Sequence, residues 1–175
     1  MHNDRFPEQW EIIKKAIDVR GKIVLDLGCG YGDMVGAMID AGALYVTGVE
    51  GNAGIGQIAA RNVARDVIFY SPIENRSIEE FTSRFSAAHW NIIVCFSVLP
   101  YIQDQGGLLE WIADHCDTAL LEVQLEGDGP GIVQSNEQLE AILKIYFDSV
   151  TPIGETLVPY RNMYRTIWKC TQESG

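Results

Sequence analysis

Lys22-Ile23-Val24-Leu25-Asp26-Leu27-Gly28-Cys29-Gly30-Tyr31-Gly32-Asp33 is the stretch on which the fold turns. Ile23, Val24, Leu25 and Leu27 make a short, nearly unbroken apolar run, the pattern of a strand buried on both faces of a parallel sheet. The run ends in Gly28, Gly30 and Gly32 at alternate positions, where the backbone can turn sharply and approach a ligand closely. Asp33 is the expected cap of a helix starting near Met34, with Val35, Met38 and Ile39 at helical spacing behind it. Strand, glycine turn and helix together make a unit for binding a small molecule.

Spacing separates the ligand classes that use such a turn. A dinucleotide fingerprint, G-x-G-x-x-G, seats a pyrophosphate on the helix N-terminus. Counting from Gly28 the last glycine position is Asp33, and from Gly30 it is Val35, so neither frame fits. Asp33 would also repel a pyrophosphate. Instead, Asp26 stands two residues before three alternating glycines. This segment resembles the first motif, VLDLGCGxG, of the class I S-adenosylmethionine-dependent methyltransferases. The resemblance implies that the loop holds the amino-acid end of S-adenosylmethionine, whose ammonium tolerates nearby acids. It assigns Asp26, Gly28, Cys29, Gly30 and Gly32 to that cofactor.

Leu44 to Glu50 is a second β-rich run, ending in an acid and followed by a Gly51-Asn52 turn. A carboxylate at the tip of the strand beside the glycine loop can accept hydrogen bonds from both ribose hydroxyls, as in dinucleotide folds. Glu50 is thus the expected ribose ligand, with Gly51 and Asn52 beside it. It does not separate the two families; the glycine spacing does.

The 175 residues suit one domain (1–20 an N-terminal helix segment, 21–170 the core), and 47% are hydrophobic and 21% charged. No apolar run has membrane-spanning length, and Met1 to Trp10 is polar and acidic, without a signal pattern. Cys29, Cys95, Cys116 and Cys170 are scattered, with no C-x-x-C pair, and read as buried thiols in a reducing compartment, the cytoplasm by default. A net charge of -11 and a pI near 4.6 disfavour nucleic acid and anionic lipid as partners. No metal is expected, because acids and histidines do not cluster at ligand spacing.

In chain order, helices are expected over Pro7–Val19, Ala53–Ala64, Ile78–Phe85, Leu108–Cys116 and Asn136–Phe147. Further strands are expected over Val67–Tyr70, Trp90–Phe96, Thr118–Leu125, Val150–Val158 and Met163–Cys170. The alternation predicts an α/β fold, a doubly wound, mostly parallel sheet with helices on both faces and an antiparallel last strand. By resemblance, its seven strands follow the order 3-2-1-4-5-7-6.

Ligands of such sheets lie beyond the carboxyl ends of the strands. His89 and His115 precede strands and so fall at the opposite edge, while His2 lies in a tail. After the third strand the family often carries an acid that meets the adenine amino group; here Pro72 occupies that place. By the same resemblance, Ile73 is left to cover the ring, and the amine to find its acceptor in a backbone carbonyl or in Glu74. Phe96 and Ser97, after the fourth strand, border the methionine part by resemblance. The nucleobase-amine tetrapeptide Asp/Asn-Pro-Pro-aromatic is absent there. Tyr101 is read either as a substrate contact or as loop packing. Glu122, on the face shared by Leu120 and Gln124, either binds substrate or pairs with an arginine such as Arg161 or Arg165. The loop from Glu126 to Gly131 has the glycines of a flap.

The resemblance implies methyl transfer by direct displacement to a small-molecule acceptor, with a protein side chain as the other target class. Catalytic residues are not assigned, because no convincing general base stands at the ligand edge. A non-catalytic cofactor-binding subunit is the alternative, and an NAD-dependent oxidoreductase is disfavoured by the glycine spacing. The short N-terminal part leaves room for a homodimer or partner subunit to complete the pocket.

Overall fold

The computed structural model describes residues 5–63, 72–125, 133–159 and 162–172. Its first half runs α1 (Phe6–Ala16), β1 (Ile23–Leu27), α2 (Asp33–Asp40), β2 (Tyr45–Val49), α3 (Ala53–Val63), β3 (Ile73–Glu74) and α4 (Ile78–Arg84). The second half runs β4 (Trp90–Phe96), α5 (Gln105–His115), β5 (Cys116–Glu122), α6 (Asn136–Tyr146), β6 (Ser149–Val158) and β7 (Met163–Thr171). The seven strands lie in the order β3-β2-β1-β4-β5-β7-β6. Pairing is parallel from β3 through β5, and β7 runs antiparallel to both of its neighbours. The expected architecture and strand order are therefore those observed.

Period two along the central strands divides the core into two layers. Leu25, Leu27, Ile93, Cys95 and Leu121 face the layer that contains residues of α4, α5 and α6. Val24, Ile92, Val94 and Leu120 face Ile13 of α1, Met34, Val35 and Met38 of α2, and Ala59 and Val63 of α3. Each large side chain fully removed from water contributes about 1.5–3 kcal/mol, so this two-sided burial is what holds both helix layers to the sheet. Asp26, Phe96 and Glu122 fall on the α1–α3 face by the same alternation, at the carboxyl ends of three adjacent strands.

Several boundaries differ from the sequence reading. The expected Asp33 cap is corrected: Gly32, at φ +83°, is the N-cap, and Asp33 is the first helical residue, where its charge complements the helix dipole. α5 begins at Gln105 rather than Leu108, because Asp104 accepts from the Gly107 amide at 2.9 Å and caps a first turn disguised by two glycines. α1 ends at Ala16 and β5 spans Cys116–Glu122, each displaced from its expected bounds. The Val67–Tyr70 strand lies outside the described residues. Among the described residues, Ile73 and Glu74 pair with β2 on this side, with the Gly48 amide donating to the Pro72 carbonyl at 2.7 Å. A proline is admissible at this place because β3 is an edge strand.

Candidate functional site

The glycine loop is fastened to the end of β2. The Gly28 and Cys29 amides both donate to the Val49 carbonyl, at 2.8 and 3.0 Å, and the Gly30 amide donates to Glu50 Oε2 at 3.0 Å. Gly28 has φ +78°, and a Cβ there would stand 2.3 Å from Val98 Cγ2, so the turn needs glycine for both conformation and space. A Cβ on Gly30 would meet nothing within 4 Å, so the loop leaves an open face above it. Glu50 Oε1 accepts from the Asn52 amide at 2.7 Å, and Asn52 Oδ1 accepts from the Gly54 and Ile55 amides at the start of α3. Gly51 is exposed between them.

Asp26 is buried beneath this loop. Desolvation, followed by the charge of Glu50, pushes its carboxyl up to about 7. The Cys29 thiol is also pushed up, chiefly by burial and then by Asp26 and Glu50, which makes it a packing group rather than a nucleophile. Ile73 is buried, and Glu74 pairs through Oε2 with Arg76 Nη2 at 2.7 Å. Both lie beside the end of β2, the strand that carries Glu50.

A cavity of about 260 Å³ opens at the carboxyl ends of β1 and β4. Asp26, the residues from Gly28 to Tyr31, Phe96 and Ser97 line it from the sheet side. Arg5, Phe6 and Gln9 line it from α1 and the residue preceding it. Glu122 lies beneath Arg5, its side chain wholly buried. Arg5 Nη1 stands 2.9 Å from Glu122 Oε1 and donates to Oε2 at 3.0 Å. Gln9 Nε2 and the Thr156 hydroxyl donate to Oε2 at 2.9 and 3.1 Å, and the Ser97 hydroxyl donates to Oε1 at 2.8 Å. Ser97 Oγ in turn accepts from Arg165 Nη1 at 2.7 Å and Arg5 Nη2 at 3.2 Å. Of the two readings of Glu122, the contacts are those of the arginine pair: Arg165 Nη1 lies 3.5 Å away. Arg161 lies outside the described residues, as does the Glu126–Gly131 loop. Ser97 holds φ +60°, a left-handed conformation, while its amide donates to the Glu122 carbonyl at 2.7 Å.

The structure thus brings together the loop glycines, Asp26, Glu50, Phe96, Ser97 and Glu122. It does not bring Tyr101 to the cavity; that residue is 69% exposed in a 3-10 turn, Leu99–Tyr101. His89 binds Asp117 at 2.8 Å, and His115 binds the Trp111 and Ser86 carbonyls, so both lie away from the ligand edge. Arg5, Gln9 and Thr156 were not found from sequence. Gln9 did leave a signal: it stands one helical turn before Ile13, on the buried stripe, as a polar residue that needs a partner. Among the described residues, no group of three or more His, Cys, Asp or Glu side chains could hold a metal ion. No described helix is long and apolar enough to cross a membrane.

Comparison with known proteins agrees with this arrangement. The chain is 32% identical over 104 residues to the ubiquinone biosynthesis O-methyltransferase of Coxiella burnetii (strain Dugway 5J108-111), covering 59% of this chain and 43% of that protein. The corresponding protein of Actinobacillus pleuropneumoniae serotype 5b (strain L20) is 29% identical over 102 residues, covering 57% and 43%. The chain therefore spans less than half the length of these curated relatives. Magnesium protoporphyrin IX methyltransferase from Synechocystis PCC 6803, solved with bound SAH (S-adenosylhomocysteine), superposes with a TM-score of 0.76 at 15% identity, covering 98% of this chain and 84% of that one. The family model of a methyltransferase domain matches residues 3–157. With its glycine loop, Glu50 and strand order in place, the chain belongs to the class I S-adenosylmethionine-dependent methyltransferase family.

Proposed function

We propose that the protein transfers a methyl group from S-adenosylmethionine to a small-molecule acceptor at the mouth of the Asp26–Ser97 cavity. The observation that carries this reading is the glycine loop fastened by Glu50, with open space over Gly30 and an ionisable Asp26 beneath it. These residues fit the cofactor. Glu50 would hold the ribose hydroxyls, while Asp26 and the Gly28-Cys29-Gly30-Tyr31-Gly32 turn would receive the amino-acid end. Gly51, Asn52, Ile73 and Glu74 would border the nucleoside, and Phe96 and Ser97 the methionine chain. The cofactor supplies an activated methyl group on a sulfonium, so the protein's contribution is alignment and exclusion of water. Phe6 and Phe96 supply apolar walls for that purpose. The names of the two curated relatives, both O-methyltransferases of ubiquinone biosynthesis, support a small acceptor with an oxygen nucleophile. The buried free thiols support a reducing compartment, the cytoplasm.

Calorimetric titration with S-adenosylhomocysteine, with NAD as control, tests the cofactor assignment. Saturable binding of S-adenosylhomocysteine alone, weakened in Glu50→Ala, is expected. Heat from NAD and none from S-adenosylhomocysteine would refute it. Turnover of S-adenosylmethionine with an acceptor then distinguishes an enzyme from a non-catalytic binding subunit.

A further inference from the structure

The layer that holds α4 and α5 carries charge of nearly one sign. From Ile78 to Asp117 the chain has six carboxylate side chains and one arginine, Arg84, which is tied to Glu80 at 3.1 Å. Glu79, Glu110 and Asp114 are exposed and make no ion pair with any described residue. His115, the last residue of α5, bridges the C-terminal ends of the two helices: its Nε2 lies 3.0 Å from the Ser86 carbonyl, just past α4, and its ring stacks on Trp111 at 4.5 Å. Beyond this bridge a groove of about 310 Å³ opens between α4 and α5. Ile78, Ile102, Leu108 and Trp111 give it an apolar floor, and the exposed carboxylates of Glu79 on α4 and Asp104 at the start of α5 complete the lining. Among the described residues, no lysine, arginine or histidine lines it. Small-molecule sites run from about 300 to 1,000 Å³, so this groove has room for a long side chain and not for a cofactor.

We propose that this groove docks a basic segment of a partner protein, one lysine or arginine side chain of which lies in it. Such a side chain joins an apolar stem to a charged head. The floor takes the stem, and Glu79 and Asp104 take the head. Glu110 and Asp114 continue the negative surface along α5, where further cations of the same segment find their partners. A free small amine would use one exposed ion pair, which holds weakly in water, so a segment with several cations is the occupant that the charge favours. The groove belongs to the α4–α6 face of the sheet, whereas Asp26 and Phe96 open on the α1–α3 face. A partner seated there leaves the cofactor cavity clear, and the proposal does not depend on the cofactor reading.

The probe is an alanine-based helical peptide with lysines one turn apart, titrated at low salt and followed by nuclear magnetic resonance. The Trp111 indole N–H, buried and without a hydrogen-bond partner, is the local reporter. Its resonance should shift with the lysine peptide and stay in place with the same peptide carrying glutamine for lysine. Ser83→Arg, on the exposed side of α4, puts a cation four residues after Glu79, neutralising that carboxylate and filling the groove without entering the core. It should weaken peptide binding at least about tenfold and leave the affinity for S-adenosylhomocysteine unchanged. Raising the salt from about 0.05 to 0.3 M should weaken binding to the wild type in the same direction. No shift of Trp111 with the lysine peptide, equal binding of the glutamine peptide, or binding that survives Ser83→Arg overturns the proposal. Spermine binding as tightly as the peptide would overturn it in favour of a free polyamine, and self-association that Ser83→Arg abolishes would overturn it in favour of a second copy of the chain.

Discussion

Asp26 carries a carboxyl lifted to about 7, first by burial and then by the Glu50 charge, against about 3.8 in an unfolded chain. Below pH 3.8 both states are protonated, and the group has no effect on stability. Between 3.8 and 7 the unfolded chain ionises while the folded one does not, so folding loses roughly 1.4 kcal/mol per pH unit, and the loss levels off above 7. Denaturant titrations across this window should show the decline in wild type and a flatter profile in Asp26→Asn. A ligand ammonium beside Asp26 favours the ionised form. Binding of S-adenosylhomocysteine should therefore tighten from pH 5 towards 7 and release a proton, measured by calorimetry in buffers of different ionisation enthalpy; an absence of proton release in wild type would contradict this. Gly28→Ala meets both a φ of +78° and a 2.3 Å approach to Val98, and should cost about 2 kcal/mol or more while weakening cofactor binding. These residues were legible in the sequence because their requirements are local: a turn, a close approach, an acid at a strand tip. Arg5 was not, since its link to Glu122 spans 117 positions and leaves no short-range pattern.

At the scale of elements, α1 is fastened at both ends of its buried stripe. Ile13 is fully buried in the α1–α3 layer, and Gln9, with Arg5 just ahead of the helix, reaches the buried carboxylate of β5. Glu122→Ala leaves Arg5 and Arg165 facing one another without the charge between them and should cost about 3–5 kcal/mol in denaturant melts. Adding Arg165→Met to that variant should recover part of the loss; no recovery would mean that packing, not charge, sets the cost. At α4, Ser77 Oγ accepts from the Glu80 amide at 3.1 Å, and Ser77→Ala should cost about 1 kcal/mol without touching cofactor affinity. The apolar runs of β1 and β4 were readable because both of their faces are buried, and β4 spans the expected Trp90–Phe96. α5 was read late because Gly106 and Gly107 have poor helix propensity, which the Asp104 cap offsets.

For the whole molecule, a sheet covered on both faces makes the two core layers one structural unit, and we propose that it unfolds as a single domain. Trp10 packs with one layer and Trp90 with the other, so tryptophan fluorescence and far-ultraviolet circular dichroism should report coincident transitions. Separate transitions would argue that α1 and its neighbours unfold on their own. The strand order came from the resemblance to a family and not from periodicity, which fixes what is strand but not which strand lies beside which. Periodicity did place Asp26 and Glu122 on particular faces, yet only the sheet order brings those faces together over one cavity. The measurement closest to the central claim is a crystal structure of the protein with S-adenosylhomocysteine. It should place the ribose hydroxyls on the Glu50 carboxylate, the amino-acid end beside Asp26 and the glycine loop, and the sulfur toward Phe96 and Ser97. Ligand density away from the carboxyl ends of β1 and β2, or a ribose that does not touch Glu50, would contradict the account.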